Sequence, residues 1–158
     1  MKCSPSPAGF AKGLLLLIPL LGLFACASQS GPAKSHKILQ KTIREYNDAF
    51  KAKRPAAAEP FVQRDIRELF KEKYSEIKKR VTFDEMEPMK IEYFKDGVAV
   101  KQSDPGPEED FNEAVLTVRY SVVISPSNRV KTITVRQKWT RENDGRWVVV
   151  PNLEPFSR

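Results

Sequence analysis

Cysteine and histidine are scarce in this 158-residue chain, which has two cysteines and one histidine. Both cysteines, Cys3 and Cys26, fall within the first 26 residues, so the rest of the chain has neither a disulfide nor a thiol nucleophile. The lone histidine, His36, has no ligand cluster around it that would suggest a metal site. A glycine-rich phosphate loop and a Gly-x-Ser-x-Gly motif are also missing. We therefore predict no metal, no cofactor and no catalytic residue.

Long hydrophobic runs are scarce as well. The apolar stretch from Gly13 to Ala25 would form about 20 Å of helix, well short of the roughly 30 Å hydrocarbon core of a bilayer. Pro19 interrupts the stretch. Lys2 and Lys12 precede it, as basic residues precede the apolar run of a secretion signal. We predict that residues 1–25 are a signal peptide and not a transmembrane span.

The end of this signal, Leu23-Phe24-Ala25-Cys26, resembles the lipobox of bacterial lipoproteins. The resemblance implies a diacylglycerol thioether on Cys26, cleavage before it and N-acylation, with palmitate-type chains. Several acyl chains would hold the protein stably on a membrane, which a single chain does not. Ala27, where an Asp would favour the inner membrane, implies the outer membrane facing the periplasm. The alternative is an ordinary cleaved signal with a chance cysteine.

The chain is basic, with 27 Lys and Arg against 20 Asp and Glu. Without Lys2 and Lys12, 25 basic residues remain against 20 acidic ones, a formal charge of about +5. An exported protein rarely meets nucleic acid, so we predict none as a partner. Anionic phospholipid or lipopolysaccharide is the expected counter-charge if the surface binds anything. A merely solvated charged surface is the other interpretation.

Behind the signal, residues 26–34 are small and polar and are predicted to be a flexible tether, followed by a single domain over residues 35–158. Ser35 would cap a first helix that Pro55 ends. A second helix is expected from about Glu59, and each helix has one apolar face. The polar segment from Lys79 to Pro88 shows no interpretable pattern.

The remainder is predicted to be strands. The first two are Met89 to Phe94 and Val98 to Gln102, before an irregular loop from Ser103 to Asp110. Then a long hairpin follows in which even residues from Ala114 to Ile124 are buried. A four-residue turn would place Tyr120 opposite Ile133, Val118 opposite Val135 and Leu116 opposite Gln137. In the last hairpin a two-residue loop would put Val148 on the face of Trp139, and a three-residue loop would put Trp147 there. We favour the second because it buries the larger ring.

Two amphipathic helices followed by long antiparallel strands and a final Asp-Gly-Arg-Trp-Val-Val-Val-Pro hairpin resemble the NTF2-like (cystatin-like α+β roll) superfamily, over roughly Ser35 to Pro151. The resemblance implies an α+β fold with two helices packed on a curved antiparallel sheet. Members include isomerases and dehydratases with a pocket between helices and sheet, and non-catalytic binding or assembly domains, so the fold alone does not decide function.

Two surfaces are candidate sites for binding. The first is a cleft between helices and sheet, where hydroxyls and an amide either orient a small molecule or are tied off within the core; its residues are Tyr46, Phe50, Tyr74, Tyr120, Gln137 and Trp139. The second is the outer sheet face, where basic residues would dock an envelope protein or an anionic envelope component; they are Arg119, Arg136 and Lys138, with Lys131. His36 is expected to be a solvated residue of the first helical turn. We favour a membrane-anchored, non-catalytic binding or scaffolding module, the alternative being a small-molecule-binding or enzymatic NTF2-like domain.

Overall fold

The computed structural model describes residues 31–104, 106–127 and 129–157. The predicted signal peptide, the lipobox, Cys26 and most of the tether lie outside these residues. The tether prediction is wrong at its end, because the first helix begins at Pro32 and not after Lys34. Proline suits a first helical position, where its missing N–H has no intrahelical partner to lose. Ser35 is accordingly a buried residue inside the helix and not its cap.

Over the described residues the fold is an α+β arrangement of three helices, three short 3-10 turns and seven strands. The helices are α1 (Pro32–Lys51), α2 (Pro55–Ala58) and α3 (Arg67–Arg80), and the 3-10 turns span Glu59–Phe61, Arg64–Ile66 and Glu154–Phe156. The strands are β1 (Val81–Lys95), β2 (Val98–Ala99), β3 (Gln102–Ser103), β4 (Gly106–Pro107), β5 (Glu113–Ile124), β6 (Val130–Arg141) and β7 (Trp147–Val150).

The predicted second helix is broken into pieces. Pro55 does not simply end a helix but begins the short α2, and the continuous helix α3 starts only at Arg67. Between them Val62 forms a parallel bridge with Val149, and the Gln63 amide donates to the Val149 carbonyl over 3.1 Å. This pairing covers the open edge of β7, and it requires an extended backbone where the sequence pattern predicted helix.

The main sheet has five antiparallel strands in the order β2-β1-β5-β6-β7. The predicted hairpin register is confirmed, with Tyr120 opposite Ile133 and Leu116 opposite Gln137. The three-residue loop of the last hairpin is confirmed too, since Trp139 faces Val149 and the Glu142 amide donates to the Arg146 carbonyl over 2.8 Å. Trp147 therefore shares the buried face with Trp139.

Strand β1 is more than twice as long as predicted, because it begins at Val81 and includes most of the segment that showed no pattern. It pairs with β5 on one side, while β2 covers only Phe94 and Lys95 on the other. An edge strand with one solvated face tolerates charged residues and Pro88, which has no N–H to pair. Two register shifts, between Phe83 and Glu85 and between Pro88 and Lys90, also blur the alternation.

The loop predicted from Ser103 to Asp110 contains a small hairpin, in which β3 pairs with β4. Strand β2 is correspondingly shorter than predicted, ending at Ala99. Helices α1 and α3 cover one face of the main sheet, and the core lies between them, with Trp139, Tyr46, Tyr74 and Phe50 among its largest buried side chains. On the opposite face most side chains of β6 are exposed, whereas those of β5 are partly buried except for the exposed Arg119.

Candidate functional site

The six predicted cleft residues lie together, but as core and not as the walls of an opening. Each is at most 3% exposed. Their rings pack directly: Tyr46 meets Trp139 edge-on at 5.6 Å between centroids, and Phe50 meets Tyr74 at 5.0 Å. The Tyr74 hydroxyl donates to the Phe50 carbonyl over 2.5 Å, which attaches α3 to the end of α1. These side chains therefore hold the helices on the sheet.

A buried residue of α1 that the sequence analysis overlooked, Asn47, joins two of them. Its Oδ1 accepts from the Gln137 amide over 2.7 Å and from the Tyr120 hydroxyl over 2.8 Å. Its Nδ2 donates to Gln137 Oε1 over 3.2 Å and to the Ile43 carbonyl over 2.9 Å. The signal was available, because Asn47 sits between Tyr46 and Phe50 on the apolar side of the helix, where a lone amide needs a partner.

The protonation of the buried tyrosines follows from their surroundings. Burial raises the pKa of Tyr120 well above its ordinary value, against a smaller opposing effect of the hydrogen bond from Gln137. Burial also raises the pKa of Tyr74 to about 12. Both hydroxyls stay protonated near neutral pH and act as hydrogen-bond donors. No Asp or Glu is buried among the described residues, whose buried polar side chains are Ser35, His36, Asn47 and Gln137.

The outer sheet face differs from its prediction in charge. Arg119, Arg136 and Lys138 do share that face, but each has a glutamate beside it from β1 or β5. Arg119 pairs with Glu87, Arg136 with Glu92 at 3.6 Å and Lys138 with Glu113 at 3.2 Å. Lys131, expected among them, lies opposite the buried Val122 and so belongs to the other face. This face is a charge-balanced lattice and not a basic patch.

His36 is not the solvated residue that its place near the chain start predicted. It is 9% exposed and meets the Tyr93 ring edge-on at 5.5 Å. The Gln40 amide nitrogen, which can only donate, lies 3.0 Å from its Nε2 and so requires a neutral imidazole there. Burial lowers the pKa of His36, which favours the same neutral form. On its other side a Cβ added to Gly106 would lie 2.8 Å from the imidazole Nδ1.

The open concave surface nearest the buried network is a groove of about 380 Å³ between α1 and the edge strand β1. Its walls are apolar and include two methionines, and charged side chains stand at its rim. The apolar lining includes Ile43, Met86, Met89, Ile91, Leu116 and Val118, the rim includes Arg44 and Lys90, and Asn47 reaches the lining from the core. We call this the α1–β1 groove. Its volume lies at the lower end of the roughly 300–1,000 Å³ typical of small-molecule sites.

A larger depression of about 610 Å³ lies between α3 and residues 150–157, where Leu69 is 55% exposed. It does not reach the Asn47 network.

Two buried hydrogen-bond donors have no partner in the described part of the chain. They are the Tyr93 hydroxyl and the Trp139 indole N–H, and their residues flank Ala114 in one row across the sheet. No group of three or more His, Cys, Asp or Glu within the described ranges is arranged to hold a metal.

Comparison with protein-family models, curated proteins and solved structures finds no match to this chain. Among the helices of residues 31–157 that the structure describes, none is both long and apolar enough to cross a membrane.

Proposed function

We propose that this protein is a lipid-anchored lipoprotein of the bacterial envelope, held through Cys26 in the outer membrane facing the periplasm. The support is the order of the N-terminal features: basic residues, a short apolar run and a lipobox-like Leu23-Phe24-Ala25 ahead of the cysteine. The start of α1 at Pro32 leaves only residues 27–31 as a spacer behind Cys26. Such a short spacer keeps the folded body close to the membrane surface.

The folded part acts as a non-catalytic binding module, and the observation that carries this is the closed Asn47–Gln137–Tyr120 network. The Gln137 amide and the Tyr120 hydroxyl are bound to Asn47, the Tyr74 hydroxyl is bound to the Phe50 carbonyl, and all six predicted cleft residues are buried, with no Asp or Glu buried beside them in the described part of the chain. The open surface is instead the apolar α1–β1 groove, whose methionines adapt to ligands of varied shape. An apolar molecule or an apolar segment of an envelope protein fits this chemistry.

The finer assignment, an NTF2-like roll, belongs to the same proposal. Two main helices on one face of a long antiparallel meander support it, as does the hairpin that places Trp139 and Trp147 on the buried face. The enzymatic alternative would need an acid or base facing a ligand. The groove rim offers Arg44 and Lys90, which donate hydrogen bonds to anions, and the residues that line the groove include no Asp, Glu or His.

The anchor is tested by metabolic labelling with a palmitate analogue and intact-mass measurement of the purified protein. We expect labelling of the wild type, loss of the label in Cys26→Ser and retention in the matched control Cys3→Ser. An unlabelled wild type whose mass fits a cleaved, unmodified chain would contradict the anchor and leave the domain in the free periplasm.

The groove is tested by native mass spectrometry of protein purified from its own membrane. We expect a retained apolar molecule that is lost in Met89→Lys, since the residue is 49% exposed and lines the groove. Leu69→Lys is the matched control, because it changes an exposed apolar residue in the other depression. Equal loss in both variants, or a wild-type groove that is always empty, would contradict small-molecule binding in the α1–β1 groove.

A further inference from the structure

The positive charge of this protein is confined to one part of the chain. Residues 31–80, which form the helices, contain 14 Lys and Arg against 7 Asp and Glu. Residues 81–158 contain 11 against 13. The basic excess therefore lies outside the sheet segment altogether. This division moves any anionic docking surface away from the outer sheet face.

Tertiary structure gathers much of that excess at one end of the molecule. The end of α1 reaches the start of β1 through the Phe50 and Phe83 rings, 5.3 Å apart. The turn after β5 reaches the end of α3, since the Ser125 amide donates to the Arg80 carbonyl over 2.8 Å. We call the segments 48–54, 76–84 and 124–131, without Asn128, the basic end. Its basic residues are Lys51, Lys53, Arg54, Lys78, Lys79, Arg80, Arg129 and Lys131, and its acidic residues are Asp48, Glu76 and Asp84. One further carboxylate, Glu154, lies beside it in the 3-10 turn whose Phe156 ring meets Phe50 and Phe83.

The cations of the basic end differ from those elsewhere in their surroundings. Within the part of the chain that the structure describes, none of these eight forms a salt bridge within 4.0 Å, while Arg119, Arg136 and Lys138 of the sheet all do. Seven of the eight residues are exposed and Lys53 is partly exposed. Their charge is therefore available to a partner outside the molecule.

The opposite end carries the opposite sign. There the first turn of α1 meets strand β4 and the last hairpin: a Cβ added to Gly106 would lie 2.8 Å from the His36 imidazole, and Arg141 donates to Ser35 over 3.3 Å. Residues 31–37, 95–104, 106–113 and 141–146 form this acidic end and hold six basic and eight acidic residues. The chain enters the fold here, at Pro32.

We propose that the basic end docks a linear polyanion that lies beyond the anchoring membrane and is recognised by its row of negative charges. The orientation rests on the proposed anchor. The five-residue spacer 27–31 spans at most about 20 Å between Cys26 and Pro32, and the 20 residues of α1 extend about 30 Å from it. The acidic end then lies nearest the anionic headgroups, which repel it, and the basic end points away from them. Lysines spread over three segments suit an extended chain of charges better than a single bound phosphate.

The test uses the full-length protein in phosphatidylcholine vesicles, titrated with fluorescent polyglutamate and with polyphosphate. We expect both polymers to bind, with an affinity that falls steeply as salt is added. The variant Lys78→Glu/Lys79→Glu should bind them about tenfold or more weakly than the wild type. Arg129→Glu/Lys131→Glu should show a similar loss, and it guards against a folding defect at the end of α3. Circular dichroism checks that both variants are folded.

The matched control is Lys34→Glu/Lys37→Glu, which makes the same change of net charge at the acidic end. It should reduce affinity much less than either basic-end variant. An equal loss of affinity in all three variants would overturn the proposal and show that net charge alone controls binding. An absence of polymer binding at low salt would also overturn it. Capture of phosphatidylglycerol vesicles without polymer binding would overturn it in favour of a lipid partner.

The proposed anchor and the proposed docking surface can be disproved independently of each other. If the protein does not enter vesicles and Cys26 is unlabelled, the same titrations in neutral detergent still measure the basic end. Polymer binding there with the same variant pattern would retain the docking surface and remove only its orientation.

Discussion

The two faces of one sheet treat polar side chains in opposite ways. On the inner face Gln137 and Tyr120 meet Asn47 of α1 in a network that is at most 3% exposed. On the outer face Arg119 and Glu87 form an ion pair with side chains about half exposed. A buried donor or acceptor that loses its partner has no water to replace it, whereas an exposed charge does. The burial of a polar contact therefore determines how much it contributes to stability. Three substitutions test this difference between the two faces.

The largest effect should come from the inner network. Asn47→Leu removes the shared partner and leaves the Tyr120 hydroxyl and the Gln137 amide buried without their strongest contacts. We expect a loss of about 3 kcal/mol in the free energy of unfolding, measured by urea denaturation. Gln137 Nε2 can still donate to the Tyr120 hydroxyl over 3.1 Å, but the Gln137 carbonyl oxygen and the Tyr120 O–H lose their partner in Asn47, and burying the added apolar surface does not offset that loss.

The control for this prediction is the triple variant Asn47→Leu/Tyr120→Phe/Gln137→Leu. Because it replaces all the partners by apolar groups of similar size, it should recover much of the lost stability. If the triple variant is less stable than Asn47→Leu alone, packing and not hydrogen bonding is the main contribution of these residues.

An intermediate effect should come from the close contact between Gly106 and the buried His36 ring at the acidic end. Gly106→Ala places a Cβ 2.8 Å from the His36 imidazole, so the buried ring or β4 has to move. We expect a loss of about 1–2 kcal/mol in unfolding free energy, measured by the same denaturation. Gly31→Ala, whose Cβ would meet nothing within 4 Å, should change stability far less. Combining Gly106→Ala with His36→Ala should remove most of the loss attributed to the clash; additive losses would contradict that attribution.

The smallest effect should come from the outer face. Arg119→Ala deletes an exposed ion pair with Glu87 and should lower the unfolding free energy by about 0.5 kcal/mol or less. Adding salt to the wild type should give a comparably small change, since screening weakens the same contact. A loss as large as that of Asn47→Leu would show that this pair belongs to a stabilising network across the face.

The sequence pattern was most informative where burial was one-sided and the turn was short. Tyr120, Val118 and Leu116 could be matched to their partners because a slip of one residue would have exposed the whole apolar set. The same one-sided burial predicts the three-residue loop before Trp147, because only that loop puts the Trp147 ring on the buried face. Both registers are determined by residues that are close together in the sequence.

The candidate sites were harder to predict, because their character depends on partners far away in sequence. Arg119 looked like part of a basic surface only while Glu87, 32 positions earlier, had no assigned strand. His36 looked solvated until the residues around Gly106 were seen to cover it. Asn47 lies 90 positions from Gln137, and no periodicity reports such a pair.

The amino-acid sequence alone contains the short apolar run, the lipobox-like residues ahead of Cys26 and the basic excess of residues 31–80. It also predicts the α+β class and the hairpin registers. These depend on composition and on alternation between neighbours. Only the tertiary structure decides that the predicted cleft is closed core, that the outer face is neutral and that the basic excess collects at one end. Burial and charge pairing are sums over residues brought together from different segments, and their values exist only once the chain is folded.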